Sequence, residues 1–294
     1  MRKNRFFVAF LFFVIGICQI AKAQNTDSVK VTITSITGNI YLIQGQGGNI
    51  AAISGKDGLV LIDDEYAPLS EKIKAALRTV SDQPVRFVIN THFHLDHTDG
   101  NKNFAGEGAI VVAQENSRQR MTTDHFLSVF KISQKASAPE ALPKITFTDS
   151  LRMYLNNQTF QVIHIKNAHT DGDAMIFFKE SNVLHTGDVF VRYGLPFIDQ
   201  PNGGSIDGVI NGVKLMLSLV DDNTVIIPGH GGLAKKKDLQ AYLTMMETVR
   251  SRISKLMREG KSLKAIVEAK PVDDFPAGFL REAFIETVYN SLQK

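Results

Sequence analysis

Three features of the 294-residue sequence predict an α/β fold. Short apolar runs with the two-residue period of strands alternate with longer stretches at the 3.6-residue spacing of helices. The earliest of these runs are separated by Gly-containing turns, the pattern of an antiparallel meander. Four apolar runs then stop at a His or an Asp flanked by Gly or Thr, as expected of a site built where rigid strands give way to loops.

Residues 1–23 are set apart from that fold. Arg2, Lys3 and Arg5 precede an apolar run from Phe6 to Cys18, and Ala21-Lys22-Ala23 before Gln24 has the small-x-small form of a signal peptidase site. The reading is a cleaved secretory signal and a periplasmic or secreted mature protein. The apolar core is shorter than the ~20 residues a spanning helix needs, so no stable membrane anchor is expected after cleavage. Lipid attachment at Cys18 is disfavoured by the bulk of Ile17 beside it. Residues 24–294 carry no Gly/Ser-rich or Pro-rich linker and read as a single domain.

Cleavage would also change the charge balance. The formal charge of +3 rests on 33 basic and 30 acidic residues, and loss of Arg2, Lys3, Arg5 and Lys22 leaves 29 basic residues, a net charge of −1. No phosphate-tracking patch is implied, so a small-molecule substrate is expected rather than a nucleic acid. Cys18 is the only cysteine and leaves with the signal, removing both disulfides and thiolate ligands from consideration.

In chain order, strands are expected over residues 29–34, 40–43, 50–54 and 59–62, the last running into Asp63-Asp64. A helix is expected over 69–80, with Ile73, Ala76 and Leu77 on one face. The strand 85–90 leads straight into His92-Phe93-His94-Leu95-Asp96-His97. A short helical turn, a strand and a helix follow over 101–104, 110–113 and 114–121. Residues 122–144 fit neither period and carry Phe126, Leu127, Val129 and Phe130 among polar residues, which suggests a lid or a packed surface helix. Strands at 147–154 and 160–165 lead to His169, strands at 174–178 and 183–184 lead to Asp188, and a strand at 225–227 leads to His230. Helices are expected over 206–219, 236–259 and 279–292.

The six positions from His92 to His97 are dense in metal-ligating groups. Side chains two apart on an extended backbone point the same way, so His92 and His94 can share one ion while Phe93 and Leu95 face the protein body. Asp96 and His97 are consecutive and cannot use that face, which suits them to a second ion. Imidazole and carboxylate suit a borderline ion such as Zn²⁺, and a pair about 3.5–4 Å apart can activate one water. A closed structural zinc site would usually draw on cysteine, and here there is none. His169, Asp188 and His230, at later strand ends, are the natural partners of the cluster.

Thr91-His92-x-His94-x-Asp96-His97, then His169 in Ala-His-Thr, Asp188 in Thr-Gly-Asp and His230 in Pro-Gly-His-Gly, in that order, resemble the metallo-β-lactamase superfamily of metallohydrolases. The resemblance implies a four-layered αββα sandwich with two zinc ions at one edge. By that resemblance His92, His94 and His169 hold the first ion, Asp96, His97 and His230 the second, and Asp188 bridges them. A metal-bridging hydroxide attacking a carbonyl carbon is the implied chemistry, with Asp96 also orienting the nucleophile. Asp188 at the bridging position looks like the thioesterase and general hydrolase branch. Together with export this leads to an ester, a lactone or a strained cyclic amide as substrate. The alternatives are β-lactam hydrolysis and, further off, a mononuclear-iron redox enzyme of the same superfamily. Among flanking residues, His185, His164 and His125 read as structural histidines. Asp171 is either an outer acceptor or a turn residue, and Tyr193, Phe197 and residues 200–205 are expected to border the pocket.

Overall fold

The computed structural model describes residues 26–127, 129–278 and 280–293, so the predicted signal lies outside the described part. The meander forms as β1 (Thr32–Thr37), β2 (Ile40–Gln44), β3 (Ile50–Ile53) and β4 (Leu59–Ile62), each antiparallel to the one before. Helix α1 (Ser70–Arg78) then crosses to β5 (Val85–Ile89), which joins β4 in parallel, as a helical crossover requires. After the short helices α2 (Leu95–Thr98) and α3 (Asn101–Ala105), β6 (Ile110–Gln114) extends the sheet, again in parallel. Helix α4 (Glu115–Met121) opens on Gln114, whose side chain accepts from the Asn116 N–H.

Among the described residues of 122–144 there is no helix. They form a hairpin of β7 (His125–Leu127) and β8 (Ile132–Gln134), too short for either period to show in the sequence. The single strand expected over 147–154 is two strands. The first, β9 (Ile145–Phe147), closes the first sheet beside β6, and β10 (Ser150–Leu155) opens a second sheet. That sheet continues with β11 (Gln158–Ile165), β12 (Asp173–Phe178), β13 (Val183–His185) and β14 (Val225–Ile227). Helices α5 (Ile206–Leu219), α6 (Lys236–Arg258), α7 (Leu263–Glu268) and α8 (Arg281–Ser291) complete the described chain; Phe279, expected to begin the last helix, is not among the described residues.

The two mixed sheets pack face to face through Ile40, Leu42, Val60 and Ile62 from one and Phe160, Val162, Ile176 and Phe178 from the other. β3 and β4 are buried on both faces and show no alternation, because α1 covers the outside of their sheet through Ile73 and Leu77. The outer face of the second sheet is covered by α5, α6 and α8, through Val213, Met246, Val249, Phe284 and Val288. The result is the α/β architecture of two sheets flanked by helices. Within it the ends of β4, β5, β11, β13 and β14 all approach one edge.

Candidate metal centre

β5 ends at Ile89, so His92 and His94 sit on a loop rather than on the strand itself. The loop is rigid because its backbone is used on both sides. The Asn90 N–H donates to Val112 O, the Thr91 carbonyl accepts from the Ala174 N–H at 2.7 Å, and the Asp63 carboxylate accepts from the Thr91 N–H at 2.7 Å and its hydroxyl at 2.8 Å. Phe93 is fully buried and locks the loop to the core. His94 is still extended (φ −66, ψ 148) and caps α2, so the backbone turns helical at the next residue and sends Asp96 and His97 in a new direction.

Two clusters result, of His92, His94 and His169 and of Asp96, His97 and His230, with a third grouping of His92, His97 and Asp188 joining them. In the first, His94 Nδ1 lies 3.1 Å from His92 Nε2 and 2.9 Å from His169 Nε2. The outer nitrogens are occupied. His94 Nε2 donates to Asp199 Oδ2 at 2.9 Å, His169 Nδ1 donates to the Phe197 carbonyl at 2.9 Å, and His92 Nδ1 faces the Thr91 hydroxyl at 3.0 Å. Three imidazole lone pairs therefore converge on one point, an arrangement that a cation stabilises and a proton can satisfy only once. Burial, followed by the neighbouring imidazoles, holds His92 well below its ordinary value, and burial takes His169 down to about 4. Both are neutral at pH 7, the form a metal ligand must have.

The second cluster is charged. His97 Nδ1 donates to Asp63 Oδ2 at 2.7 Å, which turns Nε2 toward Asp188 Oδ1 at 3.2 Å and Asp96 Oδ2 at 3.6 Å. His230 Nε2 lies 3.2 Å from Asp96 Oδ2 and 3.4 Å from Asp188 Oδ2. Burial pulls both imidazoles down, but the carboxylates outweigh it, holding His97 well above its ordinary value and taking His230 to about 10. Burial likewise opposes ionisation of Asp96, yet the imidazoles bring it down to about 2. Protons on His97 and His230 thus balance the acids in the metal-free protein. Asp188 is the one acid that touches both clusters, through His97, His230 and, at 3.8 Å, His169. Its Oδ1 is buried and makes no well-aligned hydrogen bond, with His97 Nε2 3.2 Å away, so it is an acceptor that a cation can take over.

Two glycines make room for this packing. A Cβ at Gly229 would lie 1.9 Å from Asp188 Oδ1, and one at Gly48 would lie 2.2 Å from His97 Cε1. Gly229 belongs to the Pro-Gly-His-Gly segment, so its smallness and the ligand that follows it serve the same centre.

All seven sequence-predicted ligands are brought together, and the clusters are consistent with a dinuclear metal site. The flanking histidines lie elsewhere. His185 Nε2 donates to Asn49 O at 3.0 Å and its Nδ1 accepts from the Gly187 N–H, while His164 and His125 bond the Asp173 and Arg120 carbonyls. Asp171 holds Arg120, which donates to Asn202; Asn202 donates to Asp199, the acceptor for His94. Sequence reasoning missed the roles of Asp63 and Asp199. Asp63 was detectable only as an acid directly after an apolar run, without the flanking Gly or Thr that marked Asp188; nothing local distinguishes Asp199.

Residues 36–230 match the metallo-beta-lactamase superfamily. This chain belongs to that superfamily. Relatives within it are distant and chemically varied. A linear primary-alkylsulfatase from Pseudomonas sp. (strain ATCC 19151) is 22% identical over 285 residues, covering 82% of this chain and 54% of the relative. The chain thus spans about half the length of that sulfatase. A hydroxyacylglutathione hydrolase from Haemophilus influenzae is 25% identical, covering 62% of this chain and 88% of its own length. The solved metallo-beta-lactamase from Pontibacter korlensis superposes with a TM-score of 0.60 at 17% identity, covering 74% of this chain and 99% of the other, which is likeness of fold. The superfamily assignment and the His/Asp clusters make this the candidate metal centre of a metallo-beta-lactamase superfamily protein.

Proposed function

We propose that the protein is an exported dizinc hydrolase that cleaves an ester, a lactone or a strained cyclic amide. The observation that carries the two-ion reading is Asp188, whose two oxygens reach His97 and His230 of one cluster and His169 of the other. His92, His94 and His169 would hold one ion, Asp96, His97 and His230 the other, and Asp188 would lie between them. When bound, two such ions polarise an electrophilic oxygen and acidify a water toward neutral pH.

The rest of the work falls to the chain. Asp63 and Asp199 hold the outer N–H groups of His97 and His94, so that the inward nitrogens present lone pairs once His97 gives up its second proton. Asp96 Oδ2 belongs to the one candidate ligand carboxylate that is a quarter exposed, so it is placed to orient an attacking water. A second reading, β-lactam hydrolysis, uses the same residues on a strained amide. The complete second cluster disfavours a mononuclear iron enzyme. Among the described residues no helix is long and apolar enough to cross a membrane. Export rests on residues 1–23 of the sequence alone.

The test is metal analysis of purified, zinc-loaded protein together with a panel of activated esters, lactones, thioesters, alkyl sulfates and β-lactams. We expect two zinc ions per chain and kcat/KM highest on esters or lactones, lower on β-lactams and absent on unstrained peptides. Two carboxylates around the second cluster reduce its net positive charge, which disfavours the worst leaving groups. A single ion per chain, or iron held in preference to zinc, refutes the dinuclear reading. Efficiency of about 10⁶ M⁻¹s⁻¹ on a penicillin with esters and lactones untouched makes the protein a dedicated β-lactamase. Turnover of alkyl sulfates alone removes the carbonyl substrate.

A further inference from the structure

One wall of the metal centre is aromatic, and its rings continue outward to solvent. Phe197 is 9% exposed, with its ring centroid 5.9 Å from that of His94 and 5.6 Å from that of His169. Its carbonyl accepts from His169 Nδ1, so the backbone that carries the ring is tied to a candidate ligand. Tyr193 continues the wall to the second cluster. Its ring lies 5.9 Å from His230 and its hydroxyl accepts from the Phe197 N–H. On the outward side Phe130 meets Phe197 edge to face at 4.9 Å and is 44% exposed.

Phe130 belongs to the β7–β8 hairpin, which also exposes Phe126 at 61% and Ile132 at 50%. The hairpin is tied down at both ends. Gln134 Nε2 donates to the carbonyl of Phe93, the residue between His92 and His94, and His125 Nε2 donates to Arg120 O at 2.7 Å. Asp124 pairs with Lys135 at 2.7 Å and accepts from the Ala136 N–H, which leaves Lys131 as the remaining cation of the hairpin. Ile132, on the hairpin face shared with His125 and Gln134, is a large apolar side chain at the rim of this wall and is costly to solvate unless something covers it.

We propose that Phe197 and Phe130, extended by Ile132 on the hairpin face shared with His125 and Gln134, form the subsite for an extended apolar arm of the substrate, an acyl or alkyl chain on the ester or lactone. This rests on the hydrolase reading above and names the substrate class for that site. Continuity selects the occupant. A chain attached to the reacting group must leave the metal centre along some wall, and this one runs without interruption from His94 and His169 to solvent. A membrane surface or a second copy of the protein would touch only the outermost rings and leave Phe197 without a role.

The test compares the zinc-loaded protein with Phe130→Ser and Ile132→Ser, and with Tyr154→Ser on β10 as a control at a 72% exposed aromatic away from the site. Two series are measured on each, hydrolysis of p-nitrophenyl acetate, butyrate, hexanoate and octanoate, and calorimetric binding of the corresponding free carboxylates. In the wild type each added methylene should improve both kcat/KM and affinity by about twofold to fourfold, the range from partial to full burial of a methylene. Phe130→Ser should flatten the octanoate-to-acetate ratio, Ile132→Ser should flatten it less, and Tyr154→Ser should leave it unchanged. A wild-type series flat in chain length, or a ratio indifferent to Phe130→Ser, overturns the proposal. So does a change of oligomeric state or of vesicle binding in Phe130→Ser with the chain-length dependence intact. If no ester is turned over, the hydrolase reading fails, while the carboxylate series still reports on the apolar subsite.

Discussion

Asp63→Asn is an isosteric change that removes one charge from behind the metal centre. Asp63 accepts three hydrogen bonds, from the N–H and hydroxyl of Thr91 and from His97 Nδ1, all between 2.7 and 2.8 Å. With asparagine, the amide oxygen can keep the Thr91 N–H and the amide nitrogen can donate to the Thr91 hydroxyl. His97 Nδ1 then faces a donor and must become an acceptor. Its proton moves to Nε2, the nitrogen aimed at Asp188 and Asp96, and the lone pair needed for a metal is lost. Turning the amide over restores His97 but sets two donors against each other at the Thr91 N–H. Either way one buried bond is forfeited, and loss of such an outer partner costs about 10–100-fold in metal affinity or activity, or about 1.4–2.8 kcal/mol. The fold should survive, because residue 63 has φ 64 and asparagine tolerates the left-handed region at least as well as aspartate. Competitive zinc titration should show one ion bound as in the wild type and the second weakened by that factor, with kcat reduced and the metal-free melting temperature within a few degrees of wild type. If both ions bind Asp63→Asn within threefold of the wild type, the tautomer argument is wrong.

Other perturbations separate ligands from supports. Asp188→Ala should lower activity by orders of magnitude and reduce zinc stoichiometry. His185→Ala should cost stability more than metal, about 1–3 kcal/mol for each of the buried Asn49 carbonyl and Gly187 N–H left unpaired, read from denaturant melts; the reverse ranking in zinc content refutes the assignment. Gly229→Ala should push Asp188 out of position and lose activity in a protein that still folds, checked by circular dichroism and metal analysis. Zinc binding at the second cluster must displace the protons held by His97 and His230. Because both are raised in the metal-free protein, affinity should increase with pH between about 6 and 9 and fall as pH drops, by up to two tenfold steps per unit. Calorimetry in buffers of different ionisation enthalpy should show net proton release, and an affinity that does not change over that window would contradict the charge balance described here.

The cluster from His92 to His97, the meander and α5 were legible in the sequence because each depends on local periodicity and short spacing, while His169, Asp188 and His230 were legible as a His or Asp at later strand ends, completed by the family resemblance. The extended-to-helical change at His94 that separates His92 and His94 from Asp96 and His97 is likewise a property of six consecutive residues. Tertiary structure decided what depends on distant neighbours. Residues 147–154 divide between two sheets because β9 finds β6 on one side and β10 finds β11 on the other, a choice no window of sequence contains. Residues 122–144 became a hairpin because Gln134 and His125 bond to the Phe93 and Arg120 backbones. Asp63 and Asp199 were picked from among many acids only by the imidazoles they face, 34 and 105 residues away along the chain. A ligand is announced by its chemistry and its place at a strand end. Its outer partner is an ordinary carboxylate until the fold sets it against a particular ring nitrogen.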